Sequence, residues 1–480
     1  MLPRDKDLIL KEKVKLYNNI ARINDCEGRL LAELQVYPTP RIIWEFEMLG
    51  NIQCNRPNIY QLNPLIGHGF SINNPVWGGK TVDNIGPLEA IRGASNQALY
   101  GEMEDIAHIF TFYLPNTRFQ NLSVFQGQLV QTLREMESDR VVGEGPGGRY
   151  IESSVDDTWS IGLEIGNDAL DWLNPENRNI GTRITTLGQL YQPRYHPGQP
   201  ERFSELQTLS LKNALERLKH LSQFLSYANG GYIGPLYIEG RQYSRDQFNR
   251  SLVQTSCAVA LAFHTTPLEQ LGYSWVTVAS DLRVYIQCFP AFERMMQNPL
   301  WEETFNFVLA QYFQATRSMM SWQVVASAAG AALERLSYVL LVEEETDTNK
   351  KADYELLFDI NQRNQAQRRW NLGRKPEQEN ITVTGKRLTL LLERIGLTKS
   401  RGYNDIDDVP LFLEVRNDAV HPRVGSMTIE QRSKLIIQAI QWIDEVLLWR
   451  LGYSNKYHNR IQQDSLLIPR YDLGIRDSSW

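Results

Sequence analysis

Cysteine is scarce in this chain. The four residues Cys26, Cys54, Cys257 and Cys288 are scattered over 480 positions, with no Cys-x-x-Cys pair. That spacing excludes a disulfide framework and a thiolate zinc site, and it fits a reducing, cytoplasmic setting. Long apolar runs are missing as well. None reaches the roughly 18 residues of a membrane span; the nearest, 318–342, is interrupted by Glu334 and Arg335. The opening Met1-Leu2-Pro3-Arg4-Asp5-Lys6-Asp7 lacks the apolar centre of a signal peptide. No Walker loop, Gly-x-Ser-x-Gly elbow or Rossmann fingerprint occurs. His68, His108, His220 and His264 lie far apart, without His-Glu-x-x-His ligand spacing. The glycine-rich stretch 143–148 has neither the lysine nor the following helix that phosphate cradling requires, so it reads as a loop. The expectation is therefore a protein without metal, cofactor or membrane span. A net charge of −6 also excludes a protein that coats nucleic acid non-specifically, while leaving room for a local basic cleft.

Hydrophobic and aromatic contents of 42% and 10% suit a folded chain. Its length exceeds what one core organises, so two or three domains are expected. The fold class read from the pattern is multidomain α+β. Residues 1–203 form a β-rich region, 204–300 a mixed α/β segment that could belong to it, 301–465 a helical bundle, and 466–480 a tail. In the first region, Gly28–Leu34 and Arg41–Glu47 mix aliphatic and aromatic residues in partial alternation, separated by the breaker Tyr37-Pro38-Thr39-Pro40. Similar runs recur at 109–114, 122–125, 159–165 and 184–191. From 209 the leucines fall at helical spacing until Gly230-Gly231, after which Tyr232–Ile238 returns to strand. Beyond Trp301 the helical period dominates, at 304–320, 322–344, 386–395 (stopped by Gly396), 409–420 and 428–451. The last begins with the cap pattern Thr428-Ile429-Glu430-Gln431. A polar insert, 343–380, interrupts the bundle with an acidic run and then Arg363, Arg368, Arg369, Arg374 and Lys375.

One segment carries chemistry. Glu414-Val415-Arg416-Asn417-Asp418-Ala419-Val420-His421-Pro422-Arg423 closes an apolar helical stretch with a fixed cation and a group that exchanges protons near neutral pH. Metal-independent cleavage of an RNA phosphodiester needs the 2′-hydroxyl deprotonated, the 5′-oxygen protonated and the charge at phosphorus held. Histidine suits the proton transfers, its ordinary pKa being about 6.5. Arginine suits the phosphate through its permanently charged, planar fork of donors. In an ideal helix the five-residue separation places Arg416 and His421 roughly 140° apart. Pro422 disfavours helical geometry at His421, which would let the imidazole turn back. A second copy related by a two-fold axis would also relax the geometry. The competing reading is an ordinary helix C-terminus, where basic side chains meet the dipole.

The pattern Arg416-Asn417-x-x-x-His421 on the third helix of a small bundle resembles the Arg-x(4–6)-His motif of the HEPN superfamily. The ending Leu448–Arg460 and the long β-containing region before the bundle resemble its ApeA-like branch. The resemblance covers about 316–460. It implies that Arg416 binds phosphate and stabilises the transition state, that His421 transfers protons, and that Asn417 positions one of them. It also implies a homodimer without metal or cofactor, acting on RNA in abortive-infection defence against phage and leaving 2′,3′-cyclic phosphate ends. The trigger would be a phage protein, or restraint would come from an antitoxin. Transfer RNA and messenger RNA are both open as targets. A non-catalytic HEPN scaffold or nucleotide-binding module is the alternative, and so is a toxin of a toxin–antitoxin pair.

Other residues invite weaker assignments. Arg423 is a candidate substrate ligand. Glu334 could reach the cleft from an early helix, or pair with a neighbouring base. The basic stretch 363–375, with Trp370 inside it, could grip a phosphate and stack a base, or be a solvated loop. His196, in Arg194-Tyr195-His196-Pro197, copies the His-Pro ending outside any helical frame and reads as a turn residue.

Overall fold

The computed structural model describes residues 13–48, 65–77, 90–117, 150–164, 185–192, 206–245, 251–317, 320–373, 381–421, 427–460 and 475–476, apart from single positions and short gaps within those spans. Two compact units emerge, 1–270 and 271–480. The first is β-rich and the second helical, making the chain a multidomain α+β protein. The segment 204–300 is shared, its first part lying in the β-rich unit and 271–300 in the helical one. The loop at 143–148, the run at 122–125, His196 and most of the tail fall outside the described residues.

The described strands of the first unit begin with β1 (Lys13–Ile23), β2 (Cys26–Gln35), β3 (Arg41–Met48), β4 (Leu65–Gly67), β5 (Phe70–Asn73), β6 (Val76–Trp77), β7 (Ala90–Ser95) and β8 (Gln97–Tyr100). They continue with β9 (Ile106–Ala107), β10 (Ile109–Pro115), β11 (Tyr150–Ser154), β12 (Ser160–Glu164), β13 (Thr185–Tyr191), β14 (Leu209–Ser210), β15 (Tyr237–Arg245) and β16 (Ser251–Leu261). Fourteen form one sheet in the order β11-β12-β13-β10-β15-β16-β8-β5-β4-β1-β2-β3-β7-β6, while β9 and β14 pair separately. Alternation explains β2 and β3. Leu30, Ala32 and Leu34 of one, and Ile42, Trp44 and Phe46 of the other, point into the core. Charged residues such as Arg29, Glu33, Arg41 and Glu47 occupy the alternate positions. A bulge in β1 between Lys15 and Tyr17 breaks the period, so Leu16 and Tyr17 are both buried. Open sheets this long commonly curl. This one does, because one apolar cluster joins side chains of β1–β3 to Tyr237, Ala258 and Ala260 of β15 and β16.

Helix α1 (Leu211–Asn229) follows, capped by the Ser210 hydroxyl and ended by Gly230 at φ 74°, a left-handed conformation that suits glycine. Tyr232–Leu236 reads as strand from sequence, but β15 starts only at Tyr237.

The second unit contains α2 (Ala279–Ile286), α3 (Phe289–Met296), α4 (Pro299–Thr316), α5 (Trp322–Tyr338), α6 (Thr348–Phe358), α7 (Arg363–Trp370), α8 (Val383–Arg394), α9 (Val409–Val420) and α10 (Ile429–Arg450). Helix α5 is central and packs against α4, α8, α9 and α10. It runs on as a π-helical turn over Val339–Glu343, whose end is fixed by Glu344 accepting from Trp301 Nε1 at 2.7 Å and Arg450 Nη2 at 2.8 Å. The continuous segment Trp322–Glu343 is long and apolar enough by composition to cross a membrane, despite Glu334 and Arg335, and it is largely buried inside the unit. The capping box expected at Thr428 and Gln431 forms in both directions. The insert is not a plain loop, since α6 and α7 occupy much of it; α6 starts on an Asp347 carboxylate that accepts from two backbone amides.

A buried polar network ties Tyr457 and Arg460 to this bundle. Arg460 Nε bonds Asp444 Oδ2 at 2.6 Å, its Nη2 donates to the Tyr312 hydroxyl at 2.7 Å, and Tyr457 donates to Glu445 at 3.0 Å. Asp444 is fully buried. Removing one partner of such a pair strands the other charge away from water. Asp444→Ala is therefore expected to destabilise the helical unit by about 3–5 kcal/mol, measured as a shift in denaturant midpoint.

In the first unit, the half-buried His108 accepts from the Tyr243 amide through Nδ1 at 3.0 Å, and burial lowers its pKa below the ordinary value. The unfolded chain then binds the proton more readily, so stability falls as pH drops below about 6.5. Chemical denaturation at pH 7.5 and 5.5 is expected to show this loss, and His108→Gln to reduce it.

Candidate active site

Helix α9 starts with Pro410 in its first turn and buries Val409, Phe412, Leu413 and Val415, with Phe412 meeting Trp442 of α10 edge-on at 6.0 Å. That buried face fixes the rotation of the helix and carries Arg416 against α5. The arginine side chain lies across Gly330. A Cβ at that position would stand 3.0 Å from Arg416 Cγ, tighter than ordinary packing, and 3.4 Å from Nε. One turn further along α5, Glu334 Oε1 accepts from Arg416 Nη2 at 3.1 Å. Both side chains of this pair are about one-third exposed, at 29% and 33%. Glu334 thus reaches the site as the sequence suggested it could, and the base it pairs with is Arg416 itself.

Asn417 connects the two ends of the motif. Its Oδ1 accepts from Arg416 Nη1 at a long 3.5 Å, and its backbone carbonyl accepts from the His421 amide at 2.8 Å. His421 caps the helix at φ −118° and ψ 89°, outside helical space, as Pro422 demands. Its imidazole is exposed and makes no hydrogen bond or ion pair with any described residue. Within one chain, then, the turn before Pro422 does not carry the ring onto Arg416. Arg423 lies outside the described residues.

Sequence reasoning missed Gly330 and Arg387. The Arg387 guanidinium on α8 donates through Nε to the Leu357 carbonyl at 2.8 Å, bonds the same oxygen through Nη2, and lies 4.5 Å over the Phe358 ring. Burial lowers its pKa; Glu334 opposes this, and the positive charges of Arg363 and Arg416 add to it. Arg387 therefore stands within electrostatic reach of Glu334, Arg363 and Arg416. No spacing rule would have found these arginines, because they come from three helices. Among the described residues, no group of three or more His, Cys, Asp or Glu side chains is placed to hold a metal ion. Cys257 and Cys288 are buried free thiols, and burial pushes the Cys288 thiol up to about 11, far from a reactive thiolate.

Residues 298–468 are similar to the YopA C-terminal domain. No curated protein matches the chain, and no solved structure does.

The Gly330 contact makes a specific demand. Gly330→Val would place branched carbons where Arg416 now runs, at an overpacking cost of about 1–3 kcal/mol. The expected outcome is a lowered thermal midpoint together with loss of any anion binding that depends on Arg416. Glu334→Gln should leave the midpoint within about 1 kcal/mol, the range for a part-exposed ion pair, and strengthen that binding. Calorimetric melts and titration with a short oligonucleotide check both.

Proposed function

We propose that this chain is a cytoplasmic, metal-independent endoribonuclease of the HEPN type, serving antiphage abortive infection as a homodimer. The observation that supports it most is the end of α9, where Arg416 and His421 lie five residues apart with Asn417 between them. The Asn417 side chain lies 3.5 Å from Arg416 Nη1, and its carbonyl accepts the last helical bond, from the His421 amide. A guanidinium and an exposed imidazole are thereby kept at one helix terminus. In this reading Arg416 binds the scissile phosphate and stabilises the charge that builds at phosphorus. His421 takes the 2′-hydroxyl proton or delivers one to the leaving 5′-oxygen, and a second copy supplies the other proton-transfer group across the two-fold axis. The reaction then ends at a 2′,3′-cyclic phosphate.

Glu334 has a place in this scheme as the stand-in for phosphate. A part-exposed ion pair contributes only about 0–1 kcal/mol, so an RNA phosphate offering two oxygens to the same guanidinium displaces it readily. The β-rich unit senses the trigger or restrains the nuclease, since an unregulated ribonuclease harms its own cell. The same Glu334 pair is what favours the second reading, a non-catalytic HEPN scaffold in which Arg416 serves as a structural cation.

Incubating the full chain with total bacterial RNA in EDTA separates them. Wild type is expected to yield discrete fragments with cyclic phosphate ends. Arg416→Ala and His421→Ala should each lose activity by a factor of about 10²–10⁴, the usual weight of positioned acid–base and charge-stabilising groups. Equal cleavage by all three proteins would refute the assignment of the site. Absence of both cleavage in vitro and growth arrest on expression would favour the scaffold.

A further inference from the structure

The two helices of the insert enclose an open groove of about 640 Å³, lined among others by Asn361, Gln362, Asn364, Gln365 and Arg368. Its one carboxylate, Asp353, is neutralised by Arg369 through contacts of 2.9 and 3.2 Å. Gln362 is turned back onto Asp359 at 2.8 Å. The side chains of Asn361, Asn364 and Gln365 make no hydrogen bond with described residues, and Arg363 and Arg368 form no ion pair with them. Three such amides and two such guanidinium groups therefore fall within residues 361–368, with Arg368 lining the groove and the exposed Arg363 between two lining residues in sequence. Trp370 contributes nothing to such a surface. Tyr354 stacks beside it at 6.5 Å and Lys386 covers it at 5.0 Å, so both flank the ring inside the apolar cluster of the insert.

The groove is anchored to the candidate active site. Glu334 and Tyr338 lie one turn apart on α5. The Tyr338 ring packs edge-on to Phe358 at 5.2 Å, Phe358 carries the Arg387 guanidinium at 4.5 Å, and Arg387 holds the Leu357 carbonyl. Leu356, the next residue back, lines the groove. These contacts tie the end of α6 to α5 and α8, and Arg363 and Arg416 both act electrostatically on the Arg387 that joins them.

We infer that the insert is the substrate-selecting element of the enzyme, a subsite for single-stranded RNA beside the scissile phosphate. Arg363 and Arg368 hold flanking phosphates, and Asn361, Asn364 and Gln365 read the edges of an unpaired base. Amides suit that task because each offers a donor and an acceptor side by side, matching the edges that unstacked RNA bases expose. Free guanidinium groups suit phosphates, and a groove open to solvent accepts a strand passing through it. The inference rests on the ribonuclease reading for its context, but its test does not need catalysis.

The experiment uses the full chain with His421→Ala, which should bind RNA without cutting it, and fluorescently labelled single-stranded RNA oligonucleotides of differing sequence. Adding Arg363→Ala and Arg368→Ala together is expected to weaken binding to all sequences at least tenfold and to flatten the salt dependence by one to two counterions, as loss of two phosphate contacts requires. Adding Asn364→Ala and Gln365→Ala should instead shrink the difference between sequences and leave the salt slope unchanged. In the cleaving wild-type background the same changes should raise KM and leave kcat within about twofold, as loss of uniform binding does. RNA bound with these shifts by a protein that never cuts would sustain the subsite and sink the nuclease reading. Cleavage by wild type with Kd and KM indifferent to all four substitutions would overturn the subsite and spare the nuclease. Failure of the unsubstituted groove to bind any RNA would overturn it too.

Discussion

The helical unit depends on the thinness of one helix. Along α5 the buried residues Ala326, Ala328, Ala329, Gly330 and Ala332 carry almost no side chain, which lets neighbouring helices approach its backbone closely. Four helices pack around it, so its apolar length is consumed inside the unit. Gly330 is where this matters for chemistry, because the aliphatic stem of Arg416 occupies the space a larger residue would take. The arginine is thereby held by packing along its stem and by charge at its tip, an arrangement that uses both halves of the side chain.

That separation of roles gives the site its character. Packing against Gly330 is a dense contact that yields only at a cost, whereas the pairing with Glu334 is part-exposed and weak. An anion that arrives at Arg416 therefore meets a guanidinium already placed and lightly held. The neighbouring Arg387 is different: it is buried, bonded to a carbonyl and laid over Phe358. It joins the insert to the bundle while adding positive potential to the region around Glu334.

Much of the fold was legible in local pattern. The alternation in β2 and β3, the capping box at Thr428, the left-handed stops at Gly230 and Gly396, and the bounds of α9 all follow from neighbours in sequence. Pro422 marked the break at His421 for the same reason. What escaped were relations between distant residues. Glu334 and Arg416 are 82 positions apart, and nothing in the spacing of either names the other. Arg460 and Asp444 are likewise 16 positions apart, and nothing in the sequence of either marks the buried pair they form. The insert read as an interruption because its helices are short and polar. Its Asp347 and Asp359 carboxylates, which accept from the backbone amides of the turns that follow, were the local signal that could have revealed them.

On the proposed function, Arg416 and His421 act in one site although their side chains do not meet within a chain, and a second copy completes it. The most direct measurement mixes two inactive full-length chains, Arg416→Ala and His421→Ala, after partial unfolding and refolding to exchange subunits, and assays RNA cleavage. Mixed dimers retain one arginine facing one histidine across the interface, with water in place of the second proton-transfer group, so cleavage is expected to return in part in the mixture and in neither variant alone. A mixture that forms mixed dimers yet stays inactive, beside an active wild type, would contradict it.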